Sequence, residues 1–399
     1  MKYNFDKIII RHGTNAMSAE GFREYLFGDN PAIKCACADE DLVSMWIADM
    51  DFVIAPEIIE AIKQRLDQQI LGYTQLSGER YTKAFLNWTK SRYQFDFNPE
   101  HLVNSSGIVP ALFDLLKYLC KADEKVLIQT PSYGFFKHAA DGNELELVCN
   151  ELQSEEGYYS IDFDDFEQKA KDKKVTVFIL CNPHNPTGRV WSIHELTRLA
   201  TICFDNNLTI IADEIHCDLL RKGQTFTPLA TLFPYSDKII TCMAASKSFN
   251  LAGLMFANLI IPHDDLRERW QQDHFPIVNP LSLVGVQAAY EKGGGWLLEL
   301  CDYLDNNFDY LDSYLKQNLP KAVFQISQST YLAWVNISAY FGKDINLTEF
   351  FARKAGVLLE GGDMFVGNAD DCIRLNLACP LSKLKDGLEK ISHAIKDYK

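Results

Sequence analysis

The chain has 399 residues, of which 47% are hydrophobic and 23% charged, and its formal net charge is −15. This composition is typical of a globular protein with one or two closely packed domains, and the acidic balance argues against a nucleic-acid-binding surface, which is usually basic. No apolar run approaches the roughly 20 residues of a membrane-spanning helix, and residues 1–7 hold no apolar signal-peptide core, so we expect a cytoplasmic protein without membrane association.

The predicted elements begin with an amphipathic helix from Pro56 to about Leu71. In the middle of the chain, apolar runs predict six strands, at 125–129, 145–149, 175–181, 208–212, 238–242 and 257–261. Continuous apolar runs of this length suit a mostly parallel sheet covered on both faces. Helix-like stretches lie between them, and the one from 192 to 203 begins with a capping-box pattern of Ser192 and Glu195.

The character of the sequence changes from Pro280 onward. Helical stretches at 283–292 and 296–319 precede short strands at 331–337 and 372–377 and a final amphipathic helix at 381–399. We predict a large domain of residues 47–283 and a small α+β domain of residues 1–46 and 284–399. Three consecutive glycines at 293–295 lack the spacing and the trailing lysine of a phosphate-binding loop and predict a flexible helix–helix joint.

The eleven cysteines are scattered. Cys35 and Cys37 are the only close pair, and they lack the Cys-x-x-Cys spacing of common redox and zinc sites. We therefore expect buried, reduced thiols and no metal site.

Polar groups follow three of the predicted strands. One strand opens into the turn at 182–188, Asn-Pro-His-Asn-Pro-Thr-Gly, and another ends in Asp213 of the run Asp-Glu-Ile-His. A third precedes Lys247, which has Ser246 and Ser248 beside it. A lysine among small residues after an apolar strand needs a buried partner. The arrangement suits pyridoxal 5'-phosphate (PLP), which requires a lysine for its Schiff base, an aspartate for its pyridinium nitrogen, and polar groups for its ring oxygen and phosphate.

This ordered set of motifs resembles the fold-type I family of PLP enzymes, the aspartate aminotransferase superfamily, from about Ser44 to about Ile391. Residues 45–52, Met-Trp-Ile-Ala-Asp-Met-Asp-Phe, and 213–219, Asp-Glu-Ile-His-Cys-Asp-Leu, are similar to its carbon–sulfur β-lyase branch, which includes cystathionine β-lyases. The resemblance implies an α/β fold in which a large domain with a mostly parallel sheet binds the cofactor beside a smaller α+β domain. It also implies a homodimer with shared active sites.

The resemblance assigns roles around the cofactor ring. Lys247 would form the Schiff base and then remove the α-proton of the substrate. Asp213 would pair with the pyridine nitrogen, and Asn185 would hydrogen-bond the ring oxygen and touch the substrate carboxylate. His216 stands where many aminotransferases carry a tyrosine on the same oxygen, and Tyr133 would stack on the pyridine face.

The same resemblance predicts the phosphate site. Backbone N–H groups of Ser106, Gly107 and Ile108 precede a helix through Leu119 and suit an anion. Ser246 would add a hydroxyl group. Tyr73 resembles the tyrosine that crosses the dimer interface to the phosphate of the partner.

Arg374 resembles the arginine that binds the substrate α-carboxylate through two parallel hydrogen bonds. The implied reaction is β-elimination from an amino acid with a sulfur leaving group, such as cystathionine or cysteine, to a thiol, pyruvate and ammonia. An aminotransferase with the same core residues and a regulatory protein that keeps the cofactor site are the alternatives. A nicotinamide enzyme has little support, since no Gly-x-Gly-x-x-Gly motif occurs.

Overall fold

The chain is described from a computed structural model, which covers residues 2–76, 79–342 and 345–398. In this part of the chain the strands are β1 Val43–Ser44, β2 Thr74–Gln75, β3 Leu102–Ser105, β4 Lys125–Thr130, β5 Glu146–Glu151, β6 Gln153–Glu155, β7 Tyr158–Ser160, β8 Val175–Cys181, β9 Thr209–Asp213, β10 Ile239–Met243, β11 Ala257–Ile260, β12 Ile277–Val278, β13 Leu332–Asn336, β14 Val357–Leu358, β15 Glu360–Gly361 and β16 Cys372–Asn376.

The α-helices of the same residues are α1 Met17–Glu20, α2 Phe22–Phe27, α3 Pro56–Leu66, α4 Glu79–Tyr93, α5 Ile108–Leu119, α6 Gly134–Asp141, α7 Phe163–Ala170, α8 Ile193–Asp205, α9 Leu229–Leu232, α10 Ala245–Ser248, α11 Asp264–Asp273, α12 Pro280–Lys292, α13 Gly294–Asn318, α14 Leu347–Lys354 and α15 Leu381–Asp397. Short 3₁₀ helices lie at Asp39–Asp41, Pro99–His101, Ala252–Leu254, Ser338–Tyr340 and Gly362–Met364.

The main sheet has seven strands in the order β3-β11-β10-β9-β8-β4-β5. From β10 to β5 every neighbouring pair is parallel, whereas β11 runs antiparallel to both β10 and β3. All six predicted strands are in this sheet, and β3 is the strand that the sequence pattern did not predict. Cys181, Asp213 and Cys242 lie opposite one another in the register of β8, β9 and β10. The polar groups that follow these strands therefore meet at one edge of the sheet.

Both faces of the main sheet are buried. Along β8, Val177 and Ile179 pack in a core cluster with α5 and α6. Phe178 and Leu180 point to the opposite face and pack in a second cluster with α7 and α8. This alternation confirms the prediction that the continuous apolar runs form a sheet covered on both sides.

A second, three-stranded sheet has the order β13-β16-β15 and is antiparallel. It shares a core with α13, α14 and α15. The N-terminal segment joins this region because β1 pairs in parallel with β14, Val43 opposite Val357. Gly387 of α15 lies so close to the segment that an added Cβ would be 2.6 Å from Met45 Sδ. These contacts agree with grouping the N-terminal segment with the C-terminal region, while the boundaries at residues 46 and 283 stay a prediction.

Two details differ from the sequence prediction. Helix α3 ends at Leu66, about five residues early, and Gln69 just beyond it has a φ of 57°, which a continuing helix does not allow. The glycines at 293–295 do join two helices, but the joint is tightly packed: a Cβ on Gly293 would lie 2.5 Å from the Phe249 ring. Within the described residues, no helix is both long and apolar enough to cross a membrane.

Candidate active site

A cavity of about 200 Å³ lies at the edge of the main sheet where β8, β9 and β10 end. The segments after these strands form one side of it, and the starts of α5 and α6 form another. Nine of the predicted site residues line this cavity: Ser106, Gly107, Ile108, Tyr133, Asn185, Asp213, His216, Ser246 and Lys247.

Lys247 reaches the cavity from α10, the single helical turn that follows β10. Its Nζ donates a hydrogen bond to the carbonyl oxygen of Ala48 at 2.7 Å. Burial and, to a smaller extent, the charge of Arg374 lower the pKa of Lys247 to about 8, against the opposing effect of Asp49, Asp213 and Glu360. A lysine with this pKa is partly unprotonated near neutral pH, as a nucleophile or general base requires.

Asp213 is the last residue of β9 and is buried. Burial raises its pKa to about 6, although the backbone N–H of Ile215, which donates to Oδ1 at 3.2 Å, and the charge of Lys247 both lower it. A carboxylate in this position gains stability from a cation placed against it. The charge of Asp213 therefore suits a protonated ring nitrogen.

Asn185 and Arg374 connect the turn after β8 with the second sheet. Arg374 Nη1 donates to Asn185 Oδ1 at 3.2 Å, and Nη2 donates to the carbonyl oxygen of Trp46 at 3.0 Å. The turn depends on Gly188, which has a φ of 68° and whose Cβ, if present, would lie 2.4 Å from the Ser327 side chain. Arg374 is thus held beside the cavity by a residue of the cavity wall.

His216 is buried, and its Nδ1 has no hydrogen-bond partner among the described residues. Burial, together with the positive charges of Lys247 and Arg374, lowers its pKa to about 3. The imidazole is therefore neutral at physiological pH, with a ring nitrogen free to contact a bound molecule. Tyr133, at the start of α6, is half-buried, and burial raises the pKa of its hydroxyl group. It is thus protonated and able to donate.

The start of α5 has groups that suit an anion. Gly107 precedes this 12-residue helix, and no side chain caps its first backbone N–H groups. Such groups, together with the helix dipole, favour a negative charge. Ser246 lines the same cavity and brings a hydroxyl group.

Comparisons with known proteins identify the family. The profile of "Aminotransferase class I and II" matches residues 40–391. The chain belongs to this family. Cystathionine beta-lyase PatB of Bacillus subtilis (strain 168) is 37% identical over 398 residues, 98% of this chain and 100% of the relative.

Solved structures agree with this assignment. The PLP-bound C-S lyase from Staphylococcus hominis is 48% identical with a TM-score of 0.95, over 99% of this chain and 98% of that one. Cystalysin from Treponema denticola, which contains pyridoxal 5'-phosphate, is 32% identical with a TM-score of 0.92, over 100% of both chains. The predictions of a fold-type I PLP-dependent enzyme and of the carbon–sulfur lyase branch are confirmed.

The residues of the cavity fit PLP. The free N–H groups at the start of α5 suit its phosphate, and Asp213 suits its ring nitrogen. Lys247 has an amine of lowered pKa for the covalent link. Nδ1 of His216 has no hydrogen-bond partner among the described residues and could form one with the cofactor. Asn185 supplies an amide for the ring oxygen. The individual roles stay predictions, but the groups that these roles require are gathered in one cavity.

Tyr73 does not line the cavity of its own chain, since its side chain is 95% exposed. The preceding Ile70 and Leu71 are also exposed, at 67% and 59%. Exposed apolar and aromatic side chains next to one another are typical of a surface that another chain covers. The predicted contact of Tyr73 with the phosphate of a partner subunit stays a prediction.

Two further residues at the site were not predicted from the sequence, Tyr331 and Glu360. The Tyr331 hydroxyl donates to the carbonyl oxygen of Ala48 at 2.9 Å, the same atom that accepts from Lys247. Glu360 is buried and forms an ion pair with Arg374 across the β15–β16 pair. A usable signal existed for Glu360, because it follows the apolar run 357–359, where a carboxylate requires a buried partner.

Proposed function

We propose that this carbon–sulfur lyase cleaves cystathionine, and also cysteine, by β-elimination to a thiol, pyruvate and ammonia. The observation that carries the proposal is the meeting of Lys247, with a pKa of about 8, and Asp213, with a pKa of about 6, in one cavity. The similarity over nearly the full length to a protein named cystathionine beta-lyase supports the choice of substrate.

The reaction requires removal of the α-proton, departure of the sulfur group as a thiol, and hydrolysis of the remaining three-carbon product by one water molecule to pyruvate and ammonia. When bound, PLP supplies a ring that accepts the electrons left by the departing α-proton. The amine of Lys247 takes up this proton, which its lowered pKa permits near neutral pH. Asp213 keeps a proton on the ring nitrogen through its negative charge, and Asn185 fixes the ring oxygen.

Arg374 would bind the α-carboxylate and so set the orientation of the α-carbon. Its guanidinium is buried and held by the Asn185 side chain and the Trp46 carbonyl oxygen. Such fixed geometry lowers the entropic cost of aligning the bond to be broken. Alignment decides which bond of the α-carbon reacts, here the bond to hydrogen, whose loss is the first step of both elimination and transamination.

We further propose that the enzyme acts in the cytoplasm as a homodimer in which Tyr73 reaches the phosphate site of the partner. The exposure of Tyr73 and of its apolar neighbours supports the dimer. The eleven cysteines, which are all free, support a reducing compartment.

The test is turnover of cystathionine by the purified enzyme with PLP and without any keto acid. We expect homocysteine, pyruvate and ammonia in equal amounts, and no product from Lys247→Ala. The alternative reaction is examined with an amino acid and a keto acid. If this pair turns over rapidly while cystathionine and cysteine give no pyruvate, the enzyme is an aminotransferase and the proposal is wrong.

A further inference from the structure

Arg374 already has a carboxylate partner in the protein. Its Nη2 forms an ion pair with the Glu360 side chain, which lies directly opposite on the neighbouring strand β15. The Arg374 side chain is 2% exposed and that of Glu360 is 6% exposed. The pair is therefore shielded from water. The positive charge of Arg374 stabilises the buried negative charge of Glu360.

Other charged groups near Glu360 do not replace Arg374. Lys247 is close enough to lower the pKa of Glu360, and Asp363 is close enough to raise it. On the side of α2, the Tyr25 hydroxyl faces the same pair and is neutral, since burial and Glu360 raise its pKa to about 12. The charges of Glu360 and Arg374 also act on the Tyr133 hydroxyl group, which burial keeps neutral. With Lys247 engaged by a cofactor, Arg374 is the remaining cation that faces Glu360 in the described structure.

An incoming substrate carboxylate creates a conflict at this arginine. Two carboxylates then share one buried guanidinium, and the repulsion between like charges that share a site raises the pKa of one of them. Glu360 is buried, with 5% of the whole residue exposed, so it cannot turn outward without displacing the residues around it. The least costly solution is protonation of Glu360, whose pKa burial already raises.

We propose that Glu360 is an internal competitor for Arg374, and that binding of the substrate carboxylate is coupled to the uptake of one proton by Glu360. The proton comes from solvent and returns to it when product leaves, so no other reactant is needed. The proposal rests on the role of Arg374 given above. It makes Glu360 a determinant of substrate affinity and of the pH dependence of binding.

The test uses holoenzyme reduced with borohydride, so that the lysine–cofactor link cannot exchange, and propionate as a carboxylate without an amino group. Calorimetric titration in two buffers of different ionisation enthalpy gives the number of protons taken up on binding. At about pH 8, well above the ordinary pKa of a carboxyl group, we expect the wild type to take up about one proton more than Glu360→Gln. Glu360→Gln should also bind propionate about tenfold more tightly, because its amide does not compete as a charge.

Asp363→Asn is the matched control, because Asp363 is a neighbouring carboxylate held by Asn346 at 2.9 Å and does not contact Arg374. It should still take up the proton on binding, with only a small change in affinity, because Asp363 acts on the pKa of Glu360 through its charge alone. Equal proton uptake and equal affinity in the wild type and Glu360→Gln overturn the proposal. The proposal is also overturned if the wild type takes up no proton on binding propionate. That result does not depend on whether any variant folds.

Arg374→Ala separates this proposal from the one on which it rests. We expect it to lose propionate binding. If it binds propionate as the wild type does, the role of Arg374 in substrate binding is wrong, and the competition with Glu360 is wrong with it. Loss of binding in Arg374→Ala, with no difference between the wild type and Glu360→Gln, contradicts only the competition between Glu360 and the substrate carboxylate.

In turnover, Glu360→Gln should lower KM for cystathionine with a smaller change in kcat. The difference in KM between this variant and the wild type should grow as the pH rises.

Discussion

Lys247 Nζ lies 2.7 Å from the carbonyl oxygen of Ala48, which precedes it by 199 residues. This hydrogen bond ties the turn after β10 to the N-terminal segment that runs along the second sheet. The same carbonyl oxygen accepts from the hydroxyl group of Tyr331, at the start of β13. Lys247 is thus held by Ala48, which Tyr331 holds in turn, and its amine is kept in a place where burial lowers its pKa.

The lowered pKa of Lys247 predicts how fast the apoprotein captures PLP. Only the neutral amine attacks an aldehyde, and with a pKa of about 8 its fraction rises with pH through that value. The capture rate should rise about fivefold from pH 7 to pH 8 and level off above pH 9. Absorbance after mixing apoprotein with PLP measures the rate. N-acetyl-lysine methylamide, a lysine with an ordinary pKa, is the control, and its rate should still rise up to pH 10. If the capture rate of the protein also rises up to pH 10, the lowered pKa of Lys247 is contradicted.

Asp213 predicts a stability cost in the apoprotein. Its folded-state pKa of about 6 lies above the ordinary value of 3.8, so the folded form binds the extra proton between these values. The favourable contribution is complete below pH 3.8 and is lost as the pH rises through 6. Apoprotein Asp213→Asn should therefore be about 2–3 kcal/mol more stable than wild type at pH 7, with little gain at low pH, as measured by urea unfolding.

The same variant should fail as an enzyme. Without the carboxylate the ring nitrogen loses its proton, and the electron sink weakens. We expect Asp213→Asn with bound PLP to lose at least about 100-fold in kcat. Near-normal turnover in that variant, with cofactor occupancy verified by absorbance, would rule out the role of Asp213.

The main sheet was predictable because its strands are buried on both faces. Strand β8 has the predicted bounds, Val175–Cys181, since seven consecutive residues of this apolar run are almost all buried. Strand β3, Leu102–Ser105, was missed because it is short and only one of its residues is fully buried. Helix α4 was missed because its surface is polar, and it is held by the packing of Phe85 and Trp88 into the core. Such packing is a tertiary property that local patterns do not contain.

Some residues of the candidate site could be predicted from the sequence and others could not. Lys247, Asp213 and Asn185 were predictable because each lies at or shortly after the end of a buried strand, and the ends of parallel strands meet at one edge of the sheet. The contact of Tyr331 with Ala48 and the pairing of Glu360 with Arg374 join segments far apart in sequence. They depend on how the second sheet packs on the N-terminal segment, which no spacing in the sequence specifies.

Tyr73 gives a prediction about the dimer. If it serves the phosphate site of the partner, Lys247→Ala and Tyr73→Phe chains are defective in different halves of a shared site. Mixing them under conditions of subunit exchange should form heterodimers with one intact site, so activity should exceed that of either parent. Mass spectrometry establishes that heterodimers have formed. Heterodimers without any gain of activity would mean that Tyr73 serves its own chain or only packs against the partner.

Arg374→Lys tests the geometry of the substrate carboxylate site. Lysine keeps the positive charge but lacks the planar fork, so it cannot contact Asn185, Trp46 and a carboxylate together as Arg374 is placed to do. We expect kcat/KM for cystathionine to fall by the equivalent of about 2–4 kcal/mol.

Arg353→Lys, on the exposed end of α14, is the control and should leave kcat/KM unchanged. The apoprotein of Arg374→Lys should still capture PLP with the pH profile of the wild type, because the positive charge that helps to lower the pKa of Lys247 is kept. A variant with normal kcat/KM shows that charge alone suffices at this position, and the two-pronged contact would then have no part in aligning the substrate.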